Sequence, residues 1–189
     1  MSFGKSDFIL LLMTLVPLTV LAQSPVYNLG RSPTADDSRA MGSFVDLSGK
    51  DLPPGRGTAI EGAKIFAQKC AACHGLDAEG TRAGPRLVGG KGTIGTADPV
   101  RTIGSFWPFS TPIWNTINRS MPAGQAGSLK PDEVYALTAF ILYRNDLIKE
   151  GDVIDAKTLP KVQMPNRDGF TPARLEDINR MRCRVGTCP

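Results

Sequence analysis

The sequence predicts an all-α domain of short helices joined by long loops, and three observations carry that prediction. Apolar residues recur at helical spacing near residues 60–70, 111–121 and 131–145. Twenty glycines and fifteen prolines among 189 residues cut the chain into short elements. No alternating Val/Ile/Thr runs recur at the even spacing of a sandwich or barrel.

Taken in order, residues 1–22 read as a signal peptide. Lys5 supplies a basic start, Ile9 to Val20 an apolar stretch interrupted by Pro17, and Val20-Leu21-Ala22 a small-residue cleavage site. That stretch is shorter than the roughly 20 residues a bilayer requires, so export to the periplasm with cleavage is expected, and no stable membrane span. Residues 23–57, with prolines at 25, 33, 53 and 54, read as an irregular arm. The domain proper is expected over 58–150. Thr58-Ala59-Ile60-Glu61 is a capping box, and Ile60, Lys64, Phe66 and Ala67 extend a helix into Cys70. Residues 75–108 hold eight glycines and read as loop. Thr111-Pro112 starts a second helix carrying Ile113, Trp114 and Ile117, which Pro122 ends. Pro131 starts the third helix, with Glu133 in its first turn, Val134, Leu137 and Ile141 on one stripe and Asn145 near its end. Residues 151–189 form a C-terminal extension, with a short helix expected over 171–181 and a disulfide between Cys183 and Cys188, as suits an oxidising compartment.

With 41% apolar and 21% charged residues, the composition is that of a globular protein, and the formal net charge is +4. No dense Lys/Arg tract is interleaved with aromatics, so a nucleic-acid partner is not expected.

The chemistry sits at Cys70-Ala71-Ala72-Cys73-His74, a haem-attachment pentapeptide. Two cysteines three residues apart share one helical turn and each adds to a haem vinyl group, while the next residue aims its imidazole at the iron. One such motif predicts one covalent haem c. A zinc site lacks ligands, because Cys183 and Cys188 are distant and there is no second histidine. A thioredoxin-like dithiol lacks its βαβ setting. The lone histidine also excludes bis-histidine ligation and any Ser-His-Asp or Cys-His pair. Methionine is the usual sixth ligand where the potential is to be high. Among six methionines, Met1 and Met13 lie in the leader, Met41 in the arm and Met181 in the far tail. Met121 and Met164 both precede proline. Met121, between the second and third helices, is the better candidate and Met164 the alternative. Gly84-Pro85 is placed to turn the chain so that the Pro85 carbonyl accepts the His74 Nδ1 proton. Trp107, Phe109, Trp114 and Tyr143 are candidates for haem-pocket walls, or for ordinary core. Gly90-x-Gly92-x-x-Gly95 imitates a dinucleotide fingerprint but lacks a preceding strand, a following helix and an acid for a ribose. Residues 81–130 carry Arg82, Arg86, Lys91, Arg101, Arg119 and Lys130 against Asp98 alone. Some of these are expected on haem propionates, the rest around the haem edge.

Cys70 to His74, Gly84-Pro85 and Met121-Pro122 together resemble the class I cytochrome c domain, over roughly residues 58–146. A narrower likeness runs through Leu52-Pro53-Pro54-Gly55, Thr102-Ile103-Gly104-Ser105-Phe106-Trp107-Pro108, Asp132-Glu133-Val134-Tyr135 and Met164-Pro165-Asn166-Arg167-Asp168-Gly169-Phe170. With Tyr27-x-Leu29-Gly30-Arg31, these are similar to the cytochrome subunit of Sox-type sulfane (sulfite) dehydrogenases. The resemblance implies a class I cytochrome c fold with irregular extensions, in a periplasmic electron-transfer subunit rather than a catalyst by itself. Its donor would be a molybdenum-cofactor dehydrogenase subunit oxidising reduced sulfur, and its acceptor a downstream cytochrome or oxidase. The alternatives are a free-standing carrier for another periplasmic dehydrogenase, and a haem enzyme or sensor with an open sixth site.

Overall fold

A computed structural model describes residues 31, 32, 34 and 44–171. The leader, the Cys183–Cys188 pair, Met41, Met181 and all but the first residue of the helix expected over 171–181 lie outside the described residues. Contacts divide the chain into a unit over 1–34 and one over 35–189, and every element below belongs to the second.

Strand β1 (Arg56–Gly57) leads into helix α1 (Ala59–Lys69). Thr58 caps α1 as its sequence predicts: its hydroxyl accepts from the Glu61 N–H, and the Glu61 carboxylate accepts from the Thr58 N–H at 2.8 Å. Helix α2 (Ala71–His74), α3 (Ile103–Phe106), α4 (Thr111–Ser120) and α5 (Pro131–Arg144) follow, then strand β2 (Ile154–Asp155) and a 3₁₀ turn at Leu159–Lys161. Within residues 75–108, expected to be loop throughout, α3 is an addition. Its signal is local: Thr102 accepts from the Ser105 N–H, and the Ser105 hydroxyl accepts from the Thr102 N–H at 2.9 Å.

The core is built on α5, buried continuously from Val134 to Leu142. Helix α1 crosses it through small residues, because a Cβ on Gly62 would land on the Ala136 carbonyl. Phe66 then packs on Phe140 with ring centroids 4.8 Å apart. Ile60 lies in α1 as expected but is 49% exposed, because the buried face of α1 is Ala59, Gly62 and Phe66. On the other side of α5, Trp114 of α4 packs against Tyr135 at 5.6 Å.

Segments flanking the domain are folded onto it. β1 pairs antiparallel with β2, Arg56 opposite Asp155 and Gly57 opposite Ile154. Val45 and Leu52 before α1, and Leu159, Val162 and Met164 after β2, all join the buried cluster. Tyr135 donates its hydroxyl to the Pro53 carbonyl at 2.8 Å, and Ser110 donates to the Leu159 carbonyl at 2.6 Å. Among the described residues, no helix is long and apolar enough to cross a membrane.

Candidate functional site

The site begins where α1 ends. The Cys70 N–H still bonds the Phe66 carbonyl at 2.9 Å, and one further turn, α2, carries Cys73 and His74. The chain then doubles back over that turn. The Gly80 N–H donates to the His74 carbonyl at 2.7 Å, the Thr81 hydroxyl to the Cys73 carbonyl, and the Leu87 N–H to the Ala78 carbonyl at 2.9 Å. Gly84 permits the approach, since a Cβ there would sit 2.8 Å from the Cys73 carbonyl oxygen.

This return loop delivers Pro85. Its carbonyl lies 2.8 Å from Nδ1 of His74, a side chain only 8% exposed. A proline carbonyl only accepts, so Nδ1 carries the proton and the Nε2 lone pair is left to bind a metal.

Two adjoining cavities of about 240 and 370 Å³ meet at His74. Both are lined by His74, Pro85, Leu87, Ile117, Met121 and Ile141, which form the waist of one slot. The first lobe adds both cysteines, Phe66, Lys69, Ala83, Pro122, Ala123 and Leu137. The second adds Arg86, Arg101, Thr102, Ile103, Phe106, Trp107, Ile113 and Thr116. Met121 follows α4 directly, its N–H bonded to the Ile117 carbonyl at 3.1 Å. Met164 is 3% exposed within the core and lines neither lobe.

The two lobes differ in charge. In the first, Lys69 is paired with Glu133 at 2.9 Å, which neutralises its only cation. In the second, Arg86 and Arg101 face the cavity with the hydroxyl-bearing Thr102 and Thr116. Arg86 donates Nε to the Glu79 carbonyl at 3.2 Å, and Arg101 lies over the Phe106 ring at 5.4 Å. Burial pushes the Cys70 thiol up to about 11, so the free cysteine is protonated at neutral pH.

Most sequence-level candidates converge here: Cys70, Cys73, His74, Pro85, Met121 and Trp107 all line the slot. Phe109, Trp114 and Tyr143 do not. Phe109 packs under Arg167, and Trp114 packs on Tyr135. Of the six basic residues between 81 and 130, only Arg86 and Arg101 face the slot. Phe66, Leu87, Thr102 and Thr116 are wall residues that carried no distinguishing signal in the sequence. The donor set fits haem c: two thiols one turn apart, a buried imidazole with Nδ1 committed, a thioether in the same waist, and apolar walls.

Comparisons with known proteins give the family. The Cytochrome c family profile matches residues 59–145. A thiosulfate dehydrogenase of Psychrobacter arcticus is 28% identical over 130 residues, covering 58% of this chain and 37% of that protein. One from Stutzerimonas stutzeri is 30% identical over 138 residues, covering 61% of this chain and 43% of that protein. The match thus spans less than half the length of either relative. The crystal structure of the sulfane dehydrogenase SoxCD from Paracoccus pantotrophus contains a chain that superposes with a TM-score of 0.71 at 36% identity. That likeness covers 87% of this chain and 79% of the other. Residues 1–145 make up a smaller share than that, so the likeness takes in part of the segment after α5.

Proposed function

The chain belongs to the cytochrome c family as a SoxD-like class I cytochrome with covalently bound haem c, and from that premise we propose that it is the haem subunit of a molybdenum-containing sulfane or sulfite dehydrogenase, taking electrons singly in the periplasm. The observation that carries the electron-transfer role is the slot waist. There His74, its Nδ1 committed to Pro85 at 2.8 Å, and Met121 line the same cavity.

Haem c supplies an iron that changes between ferric and ferrous states. In this reading the chain's own residues do the following. Cys70 and Cys73 would tether the group through thioethers. His74 would bind the iron through Nε2, and the Pro85 carbonyl fixes its ring and raises its basicity. Met121 would supply the other ligand, a soft thioether that would favour the ferrous state and raise the potential. Arg86 and Arg101 would hold the haem carboxylates in the second lobe. Ile117, Leu137 and Ile141 keep water from the waist. With His74 and Met121 both held on packed elements, little of the chain would have to rearrange between oxidation states.

The sulfur assignment is supported by the likeness to the sulfane dehydrogenase and to the two thiosulfate dehydrogenases. Export is supported by the leader-like residues 1–22. The test is to isolate the native complex through this chain, assay it for molybdenum, and add thiosulfate or sulfite while following haem reduction. Molybdenum with rapid reduction is the expected result. A cytochrome recovered without molybdenum and inert to both compounds overturns the sulfur role and leaves the electron carrier.

A further inference from the structure

The slot opens toward two surfaces of different character. Around the first lobe the lining near the surface is Cys73, Ala83, Pro122 and Ala123, with Lys69 paired to Glu133 as its one cation. Beyond the second lobe lies a face built by a segment that the Cytochrome c profile, ending at 145, does not include. Residues 159–170 run across α3 and the start of α4. They are tied down by the Ser110 hydroxyl on the Leu159 carbonyl at 2.6 Å, and by Asn166 Nδ2 on the Phe106 carbonyl at 2.7 Å. Leu159, Val162 and Met164 are buried under the strap. At its end Phe170 meets Phe106 edge-on, with centroids 5.2 Å apart at 72°, yet stays 53% exposed. Arg167 covers the Phe109 ring at 4.5 Å. Phe106 itself lines the slot, so the exposed Phe170 ring stands one aromatic ring away from the cavity.

Two considerations choose an occupant. The strap lies outside the general cytochrome c segment, while the likeness to the sulfane dehydrogenase necessarily extends beyond residue 145. A segment that a haem slot does not require, lying where that likeness extends, suits a resident subunit contact. The face also has the make-up of an interface centre, a half-exposed phenylalanine flanked by arginine on a rigid backbone. We infer that the face formed by Phe106, Phe109, Arg167 and Phe170 seats the catalytic dehydrogenase subunit, which leaves the first-lobe rim free for the acceptor that removes the electron. This deepens the proposed function and rests on it.

The experiment is a titration of the holo-cytochrome with the purified molybdenum subunit, followed by calorimetry. Phe170→Ala and Arg167→Glu are each expected to weaken binding about tenfold or more, with haem spectrum and reduction potential unchanged as the check on folding. Leu76→Glu, an exposed position beside the attachment motif (72% exposed), is expected to keep wild-type affinity. Wild-type affinity in both face variants, or loss of binding in Leu76→Glu alone, overturns the inference while the subunit assignment stands. Failure of the wild-type chain to bind the molybdenum subunit overturns both.

Discussion

Asn145→Ala tests how the end of α5 is tied to the slot. Asn145 is 6% exposed, and its carboxamide makes three hydrogen bonds. Nδ2 donates to the Leu87 carbonyl at 3.2 Å and the Ile141 carbonyl at 2.9 Å, and Oδ1 accepts from the Gly89 N–H at 3.0 Å. Alanine removes all three. Each such bond contributes about 1 kcal/mol net, and a stranded buried group costs about 1–3 kcal/mol. The groups on Leu87 and Gly89 belong to a half-buried loop that water reaches after a small shift, so the lower figure applies. The expected loss is about 3 kcal/mol, which for a chain of this size lowers Tm by about 9 °C. Thermal and guanidinium unfolding of the holo-protein, followed by circular dichroism, measures it. Asn145→Asp keeps the acceptor for Gly89 but turns a carboxylate oxygen on two carbonyls. It is expected to be as unstable as alanine at pH 7 and to recover in acid, where its protonated oxygen donates. A loss below about 1 kcal/mol for Asn145→Ala refutes the claim that this side chain clamps the loop.

Three further outcomes follow from the packing and the charges. Gly62→Val forces α1 off α5, because the Ala136 carbonyl occupies the Cβ position; a loss of about 3 kcal/mol or a collapse in holo-protein yield is expected, measured by unfolding and haem content. Met121→Ala is expected to let added imidazole bind the iron and to lower the potential, whereas Met164→Leu leaves spectrum and potential alone and costs under about 1.5 kcal/mol; optical titration and potentiometry separate the two methionines. The Glu133 carboxyl is held below the usual carboxylate range, first by the Lys130 N–H and then by the Lys69 ammonium. Its folded pKa is depressed, so its contribution is present above the ordinary carboxylate pKa and fades as pH falls through the lowered folded value. The pair is partly exposed, so Glu133→Gln is expected to lower stability at pH 7 by no more than about 1 kcal/mol, with the gap to wild type closing in acid unfolding curves.

What the sequence made legible is what local chemistry dictates. The Thr58–Glu61 box, Pro112 in the first turn of α4 and Pro131 at the start of α5 each act within one helical turn, and each was readable. So was the attachment motif, because its function resides in its spacing. The placement of Pro85 over His74 was readable as a turn whose partner was already known. What failed was whatever distance decides. The helix through Ile60 was readable, but the face that packs is the one through Gly62, and only the approach of Ala136 reveals it. Trp114 and Trp107 look equivalent in sequence, yet α4 turns one toward Tyr135 while the end of α3 leaves the other on the slot. Arg86 and Arg101 were two of six basic residues, and only the folded loops separate them from Arg82 and Lys91. Strands of two residues have no period to detect.

The order in which the slot's walls appear along the chain bears on its assembly. The tether and the histidine come first, the return loop next, Met121 later, and Leu137 and Ile141 last. A chain that emerges from its N-terminus would therefore present Cys70, Cys73 and His74 on an open shelf. The helix that closes the slot, α5, packs on the bare surface at Gly62, and β2 pairs with β1 beside it. Covalent loading of the cofactor thus has its natural interval before the last helix arrives, when both thiols are reachable by an attaching enzyme. Any change that hastens docking of α5 shortens that interval, and a protein made more stable at the α1–α5 crossing would mature less completely.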